Sequence, residues 1–402
     1  MKTKSSTNWN LLENFTFKDG TDVDRSVWQS PQWSPTSNPS FLGQTSLRNI
    51  PDYGSPLGCV PVTGGIAQLY LDTFNPKSSP AGTSFLGAQI GTIKKWGLAT
   101  YESVAFEAEV IFPTGGTDAA PGGVVAALFA YNLISQSPFL HDEIDFEFAS
   151  NFWQGANEAV NTNVYVVTGS NMPNYDNVVN TQINLSGPVV LRLEWSAAGG
   201  VRWYINQATN PNPIYTEANV PLSDMGLVLN FWVPDSGWNW AYNSNLLPTA
   251  AAGDQWTFQV SWAKVWVKPY TMEVQAAETW QNTGITVNPG DTISIQYESG
   301  MWTADPKTNG GNMYDAAGCT GLKVNQPGFT LLGENMGALC GFVGAQPVGD
   351  GSDDAFLVAN GYSGTSQASG ALWLCINDDL KGRYGSGLTD NSGSVTVSVT
   401  VS

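Results

Sequence analysis

The stretch His141–Phe148, HDEIDFEF, decides how this chain is read. Its acids, Glu143, Asp145 and Glu147, alternate with Ile144, Phe146 and Phe148. Successive side chains of a strand point to opposite faces, so the pattern predicts a β-strand with one acidic and one apolar face. The apolar face can anchor in a sandwich core, which leaves the acids open to solvent or lining a cleft. No Lys or Arg occurs between Lys95 and Arg192, so no cation close in sequence pairs with them. Neighbouring acids of the row stand roughly 6.6 Å apart along the strand and repel one another. Proteins keep such local conflict mostly where function requires it. The plainer alternative is a solvated acidic face that protects an edge strand.

Outward from this strand, the period of two continues. In TYESVAFEAEVIFP, Val104, Phe106, Ala108, Val110 and Phe112 alternate with Ser103, Glu107 and Glu109, and Pro113 ends the run. VVLRLEW and VRWYIN, joined by SAAGG, read as a hairpin; GLVLNFWV and TFQVSWAKVWV read as further strands. The 402 residues exceed one ordinary domain. Thirteen of the 16 tryptophans lie at or before Trp266, and only Trp280, Trp302 and Trp373 follow. This shift predicts two all-β domains, residues 7–268 and 272–402, joined by a short linker near residue 270.

Composition narrows the partners. The 43 glycines, 23 prolines and only 12 % charged residues suit a turn-rich β protein with aromatic surfaces. A net charge of −18 argues against nucleic acid and, more weakly, against sulfated or uronate polymers; a neutral partner fits best. No apolar run is long enough to span a membrane, and MKTKSSTNWN lacks the apolar core of a signal peptide. Four cysteines do not make a disulfide framework. One bridge, Cys319–Cys340, and free half-buried thiols both remain open.

Retaining glycoside hydrolysis would require such a row. One carboxylate must be ionised to attack the anomeric carbon, while a second keeps a proton for the leaving oxygen. Each negative neighbour raises the pKa of the group that holds the proton. A middle Asp can hydrogen-bond to the nucleophile, orient it and hold part of the shared proton. Four strand residues separate Cα atoms by roughly 13 Å, so Glu143 and Glu147 must lean toward each other across Asp145.

On these residues the chain resembles glycoside hydrolase family 16, over about residues 7 to 268. HDEIDFEF looks like that family's catalytic strand in the form without a bulge residue, typical of its lichenases and xyloglucan-modifying enzymes. FEAEVIFP, LEW with VRWYIN, and LNFWV resemble other strands of the family. The resemblance implies a β-jelly roll with an open cleft, Glu143 as nucleophile, Glu147 as general acid/base and Asp145 as assistant. Ser261 stands where many members have an Asp that helps hold a structural calcium.

Sugar rings present apolar C–H faces that aromatic planes cover, while amides and acids bind hydroxyls. Trp153, Asn163, Tyr165, Trp232, Trp238 and Trp240 are candidates for that surface, whereas Trp195 and Trp266 read as core. His141, the only histidine, shares parity with the acids and reads as a hydrogen-bonded wall of the cleft.

The last 130 or so residues resemble the PA-IL-like galactophilic lectins of bacteria, calcium-dependent sugar binders with a small β-sandwich. NPGDTISI, SGMWTADP, GALCGFVG and GALWLCINDD, closing into DNSGSVTVSV, carry the likeness. It implies calcium ligands at Asp378, Asp390 and Asn391, with a backbone carbonyl near Ala304 or Asp305. Two features depart from it. The loop KGRYGSGLT is longer, and Tyr314 lies nearest the place of the lectins' sugar-contacting histidine.

The expectation is therefore an extracellular, endo-acting retaining hydrolase of a neutral β-glucan, linked 1,3-1,4 or 1,3, with an appended carbohydrate-binding domain. A transglycosylase on β-glucan or xyloglucan and a non-catalytic two-domain sugar binder are the alternatives.

Overall fold

The computed structural model describes residues 9–31, 43–114, 119–153, 158–181, 184–347 and 354–401. Nearly all regular structure is β, and the chain divides into two compact units. Among the described residues, the larger comprises those of Asn10–Leu98 and Ser103–Val267; the smaller comprises those from Lys268 to Val401 with Trp9 and the short segment Ala99–Glu102.

The larger unit is a jelly-roll-like sandwich. One layer runs Asn177–Thr181, Glu158–Tyr165, Phe139–Ala149, Val125–Gln136, Gly226–Trp232 and Phe85–Thr92, in that order. The second runs Ile66–Asp72, Gln255–Lys268, Ser103–Ile111, Val189–Ser196, Gly200–Ile205 and Tyr215–Glu217. A single pairing, Asp72 opposite Leu86, carries the first layer into the second. The predicted hairpin is present, with Ser196 opposite Gly200 at its turn.

The apolar sets meet between the layers. Phe146 and Phe148 of the acidic strand are buried, as are Phe106, Phe258 and Phe231. Phe112 packs on Phe148 at 4.8 Å and on Phe258 at 5.3 Å between ring centroids. Trp195 is core as expected, 4.9 Å from Phe106. Trp266 differs: it is half-buried, with the Arg192 guanidinium 5.7 Å from its ring. That arginine also pairs with Glu194 at 2.7 Å and Glu107 at 3.1 Å.

The smaller unit is a β-sandwich of two four-stranded sheets. One orders Tyr270–Gln275, Ser392–Val401, Thr292–Thr303 and Gly361–Thr365; the other orders Gln281–Val287, Gly370–Ile376, Leu339–Gly344 and Phe356–Leu357. Trp302 is fully buried and donates from Nε1 to Gly337 O at 2.8 Å. The bridge Cys319–Cys340 is not formed; all four cysteines are free and buried rather than half-buried. Strand register places Cys375, not Cys319, opposite Cys340.

Candidate active site

The acidic strand is not an edge strand, which removes the protective-face reading. It is paired on both sides, with Tyr165, Asn163 and Asn161 opposite Glu143, Asp145 and Glu147. On its other flank Tyr131, Phe129 and Ala127 take the same three places. Because facing residues in antiparallel strands share a side of the sheet, these rungs bring acids, amides and aromatic rings onto one surface.

That surface forms the floor of a cavity of about 330 Å³. Glu143, Asp145 and Glu147 line it together with Asn161, Asn163, Tyr165, Asn174, Asp176, Trp232, Asp235 and Trp238. No Lys or Arg is among its described lining residues. The cavity is acidic and rimmed by aromatic rings.

The rim is seated by the backbone. Thr45 Oγ1 donates to Val233 O at 2.9 Å and accepts from Val233 N at 2.8 Å. Gly43, at φ 62°, lies where a Cβ would come within 2.3 Å of Asp235 N, so a side chain there would displace the loop beside Trp238.

Burial and neighbouring charges act on all three acids. Glu143 and Asp145 are buried, and Glu147 is half-buried by its neighbours. Loss of hydration raises all three carboxyls above the ordinary range. Hydrogen bonding between Glu143 and Asp145 then lowers the first and raises the second. Glu147 is raised next by the charges of Asp145 and Asp176, and lowered by Asn161, whose Nδ2 donates to Oε2 at 3.2 Å. From behind, Trp203 Nε1 in the opposite layer donates to Asp145 O at 2.8 Å.

His141 is 3 % exposed and backs Glu143, with Nε2 2.8 Å from Glu143 Oε2, rather than lining the cavity. Asn163 and Tyr165 do line it, as expected from sequence. Trp232 stacks on Trp238 at 5.8 Å, and Trp238 meets Trp240 at 5.6 Å. Trp240 stacks on Phe152 at 4.9 Å and extends this aromatic row beyond the cavity lining.

Trp153 is a correction. It is buried, packed edge-on against Phe112 at 5.5 Å, and belongs to the core rather than the cleft. The short 3-10 turn Ser150–Phe152 follows the acidic strand at once and carries the chain off its face. Asn161 and Asp176 are functional candidates that the sequence reading missed. Asn161 had a visible signal, since it shares parity with Asn163 and Tyr165. Asp176 comes from a connection whose path no periodicity announces.

In the smaller unit, Asp378 and Asn391 are brought together: Asn391 Nδ2 donates to Asp378 Oδ2 at 2.9 Å and to Ala276 O at 3.0 Å. Burial pushes the Asp378 carboxyl up to about 6, with the charges of Asp379 and Asp390 adding to the effect. Tyr314 senses the Asp378 charge, and its hydroxyl accepts from Ala304 N at 2.5 Å. Among the described residues, no three His, Cys, Asp or Glu side chains converge as a metal-binding group.

No family model and no curated protein matches this chain. Solved structures do. A lichenase from a mouse hindgut metagenome is 17 % identical, over 63 % of this chain and 99 % of its own, with a TM-score of 0.43. A glycoside hydrolase family 16 endo-glucanase from Bacteroides ovatus is 16 % identical, over 60 % of this chain and 95 % of its own, at 0.44. A pseudo β-1,3-glucanase of Mycobacterium tuberculosis, an immunostimulatory antigen, is 18 % identical, over 64 % and 98 %, at 0.45.

Proposed function

We propose that the larger unit is an endo-acting retaining glycoside hydrolase of a neutral β-glucan, linked 1,3-1,4 or 1,3. The observation that carries this reading is the floor of the cavity, where Glu143, Asp145 and Glu147 line one space.

In the proposed first step Glu143 attacks the anomeric carbon and forms a glycosyl ester. Glu147 gives its proton to the departing sugar oxygen, so the glycosidic bond breaks as the ester forms. In the second step Glu147 takes a proton from water, and that water's oxygen displaces Glu143 from the sugar. Asp145 supports the nucleophile's carboxylate at both stages. Asn161, Asn163 and Asp176 offer partners for sugar hydroxyls, while Trp232 and Trp238 offer planes for ring C–H faces. An acidic cavity without a described cation favours an uncharged polymer over a sulfated or uronate one. Action on such a polymer also places the protein outside the cell in this proposal.

For the smaller unit we propose carbohydrate binding assisted by calcium at Asp378, Asp390 and Asn391. A cation would offset the raised Asp378 carboxyl and give a partner to Asn391 Oδ1, which is buried without one. The Asn391 amide would turn to present that oxygen, and carbonyl oxygens would complete the shell.

The test is reducing-end release from mixed-linkage β-glucan, laminarin, xyloglucan and agarose. Wild type is expected to release sugar from one glucan, and Glu143→Gln and Glu147→Gln to release none while still binding it. Undiminished hydrolysis by both variants would overturn the assignment. Absence of release by wild type would favour transfer to a sugar acceptor, measured with a labelled oligosaccharide, or binding alone.

A further inference from the structure

A buried carboxyl raised above its usual range is a poor nucleophile, because its proton must reside elsewhere before it can attack. Asp145 is one seat for that proton. The other neighbour of Glu143 is His141.

We propose that His141 is a positioning residue for Glu143, its Nε2–H holding Oε2 across 2.8 Å so that the carboxylate faces the cleft ionised. The inference rests on the reading of Glu143 as nucleophile. Its geometry is specific. The ring is enclosed by Phe139, Tyr131 and Tyr165, with centroids at 5.2, 5.4 and 4.9 Å. His141 Nε2, His141 Nδ1 and Glu143 Oε2 are all buried without a hydrogen-bond partner, and a modest turn of the ring would pair Nε2–H with Oε2 across the 2.8 Å that separates them. A hydrogen on Nδ1 would stay orphaned, whereas one on Nε2 has the carboxylate oxygen within reach, so the Nε2–H tautomer is favoured.

The surrounding groups leave His141 no competing task. Tyr131 and Tyr165 flank it from the neighbouring strands, and burial keeps both phenols protonated. On its own strand, Asp142 accepts from Val167 N at 2.8 Å and from Ser223 N at 3.2 Å, so its carboxylate is already engaged. Burial pushes the imidazole down to about 4 against the opposing charge of Asp142, so it acts as a neutral donor at neutral pH. In the second step the same donor would stabilise the charge that returns to Glu143 as the ester breaks.

The single histidine makes a test independent of activity feasible. Nitrogen-15 NMR of the full chain, labelled at histidine and carrying no histidine tag, is expected to show a neutral Nε2–H tautomer at pH 7. Glu143→Gln is expected to shift its ring nitrogens. An Nδ1–H tautomer, or a ring indifferent to Glu143→Gln, would overturn the proposal even if the protein is an active glucanase. Where activity is measured, His141→Phe should move the acidic limb of kcat/KM upward by about one pH unit or more, with KM little changed. His141→Gln should recover part of that shift, and melting temperatures identify a variant that fails to fold. A limb that stays in place while KM rises would make His141 a wall of the cleft instead. An inactive wild type would refute the function and leave the NMR result to judge the contact.

Discussion

Asn161 and Asp176 act on Glu147 with opposite signs, which makes the assignment of the proton donor open to a paired test. In the proposed mechanism Glu147 must be protonated to act as the acid, so the basic limb of kcat/KM follows its pKa before substrate binds. Asn161 Nδ2 donates to Glu147 Oε2 at 3.2 Å and favours the ionised form. Removing it in Asn161→Ala raises the pKa and moves the basic limb to higher pH. Hydrogen bonds to charged groups contribute about 1.5–3 kcal/mol net, and a 3.2 Å contact belongs at the weak end. At about 1.4 kcal/mol per pKa unit, the expected movement is about one pH unit upward. Asp176 is an exposed acid whose charge disfavours ionisation of Glu147. Asp176→Asn should therefore move the same limb downward, by less than the Asn161 change and less again at high salt, because solvent screens exposed charges. The assay is kcat/KM against pH on the soluble glucan that wild type cleaves, at two ionic strengths. Movement of both limbs in one direction, or of neither, would refute Glu147 as the acid.

Trp203→Phe removes the donor to Asp145 O from a fully buried site, so we expect a stability loss of roughly 2–4 kcal/mol in denaturant unfolding and a lower kcat; an unchanged midpoint would count against the contact. Trp238→Ala should raise KM for the polymer several-fold with kcat and melting temperature nearly unchanged, since the ring is half-exposed at the rim; a fall in kcat alone would contradict its binding role. Asp378 titrates near 6 in the folded state against an ordinary value of 3.8, so the folded protein binds the extra proton between those values. Without calcium, stability should fall as pH rises from about 4 to 6; added calcium or Asp378→Asn should flatten that fall in scanning calorimetry, and an unaltered slope in both would exclude the site.

Legibility in the sequence tracked what sets each position. Strand alternation is local, so HDEIDFEF correctly divided its acids from Ile144, Phe146 and Phe148. Asn163 and Tyr165 were legible because the next strand pairs with the acids in simple antiparallel register. The same parity would have supplied Asn161. Trp153 misled because nearness in sequence was taken for nearness in the cleft, whereas a turn of three residues sends its ring onto Phe112. Asp176, and the facing of Cys340 by Cys375, depend on connections and on strand order, which pairwise spacing does not encode.

The tie from Trp203 to Asp145 O joins the substrate-facing layer to the layer behind it. It makes the acidic strand answerable to a part of the protein that does not line the cavity. Repacking around Trp203, Trp195 or Phe106 for heat resistance would therefore also adjust where the carboxylates stand. Under the proposed function, screens for sturdier variants would recover turnover mutants among changes that never reach the cleft. Core substitutions compatible with activity should be scarcer around Trp203 than in regions of the sandwich with no such tether.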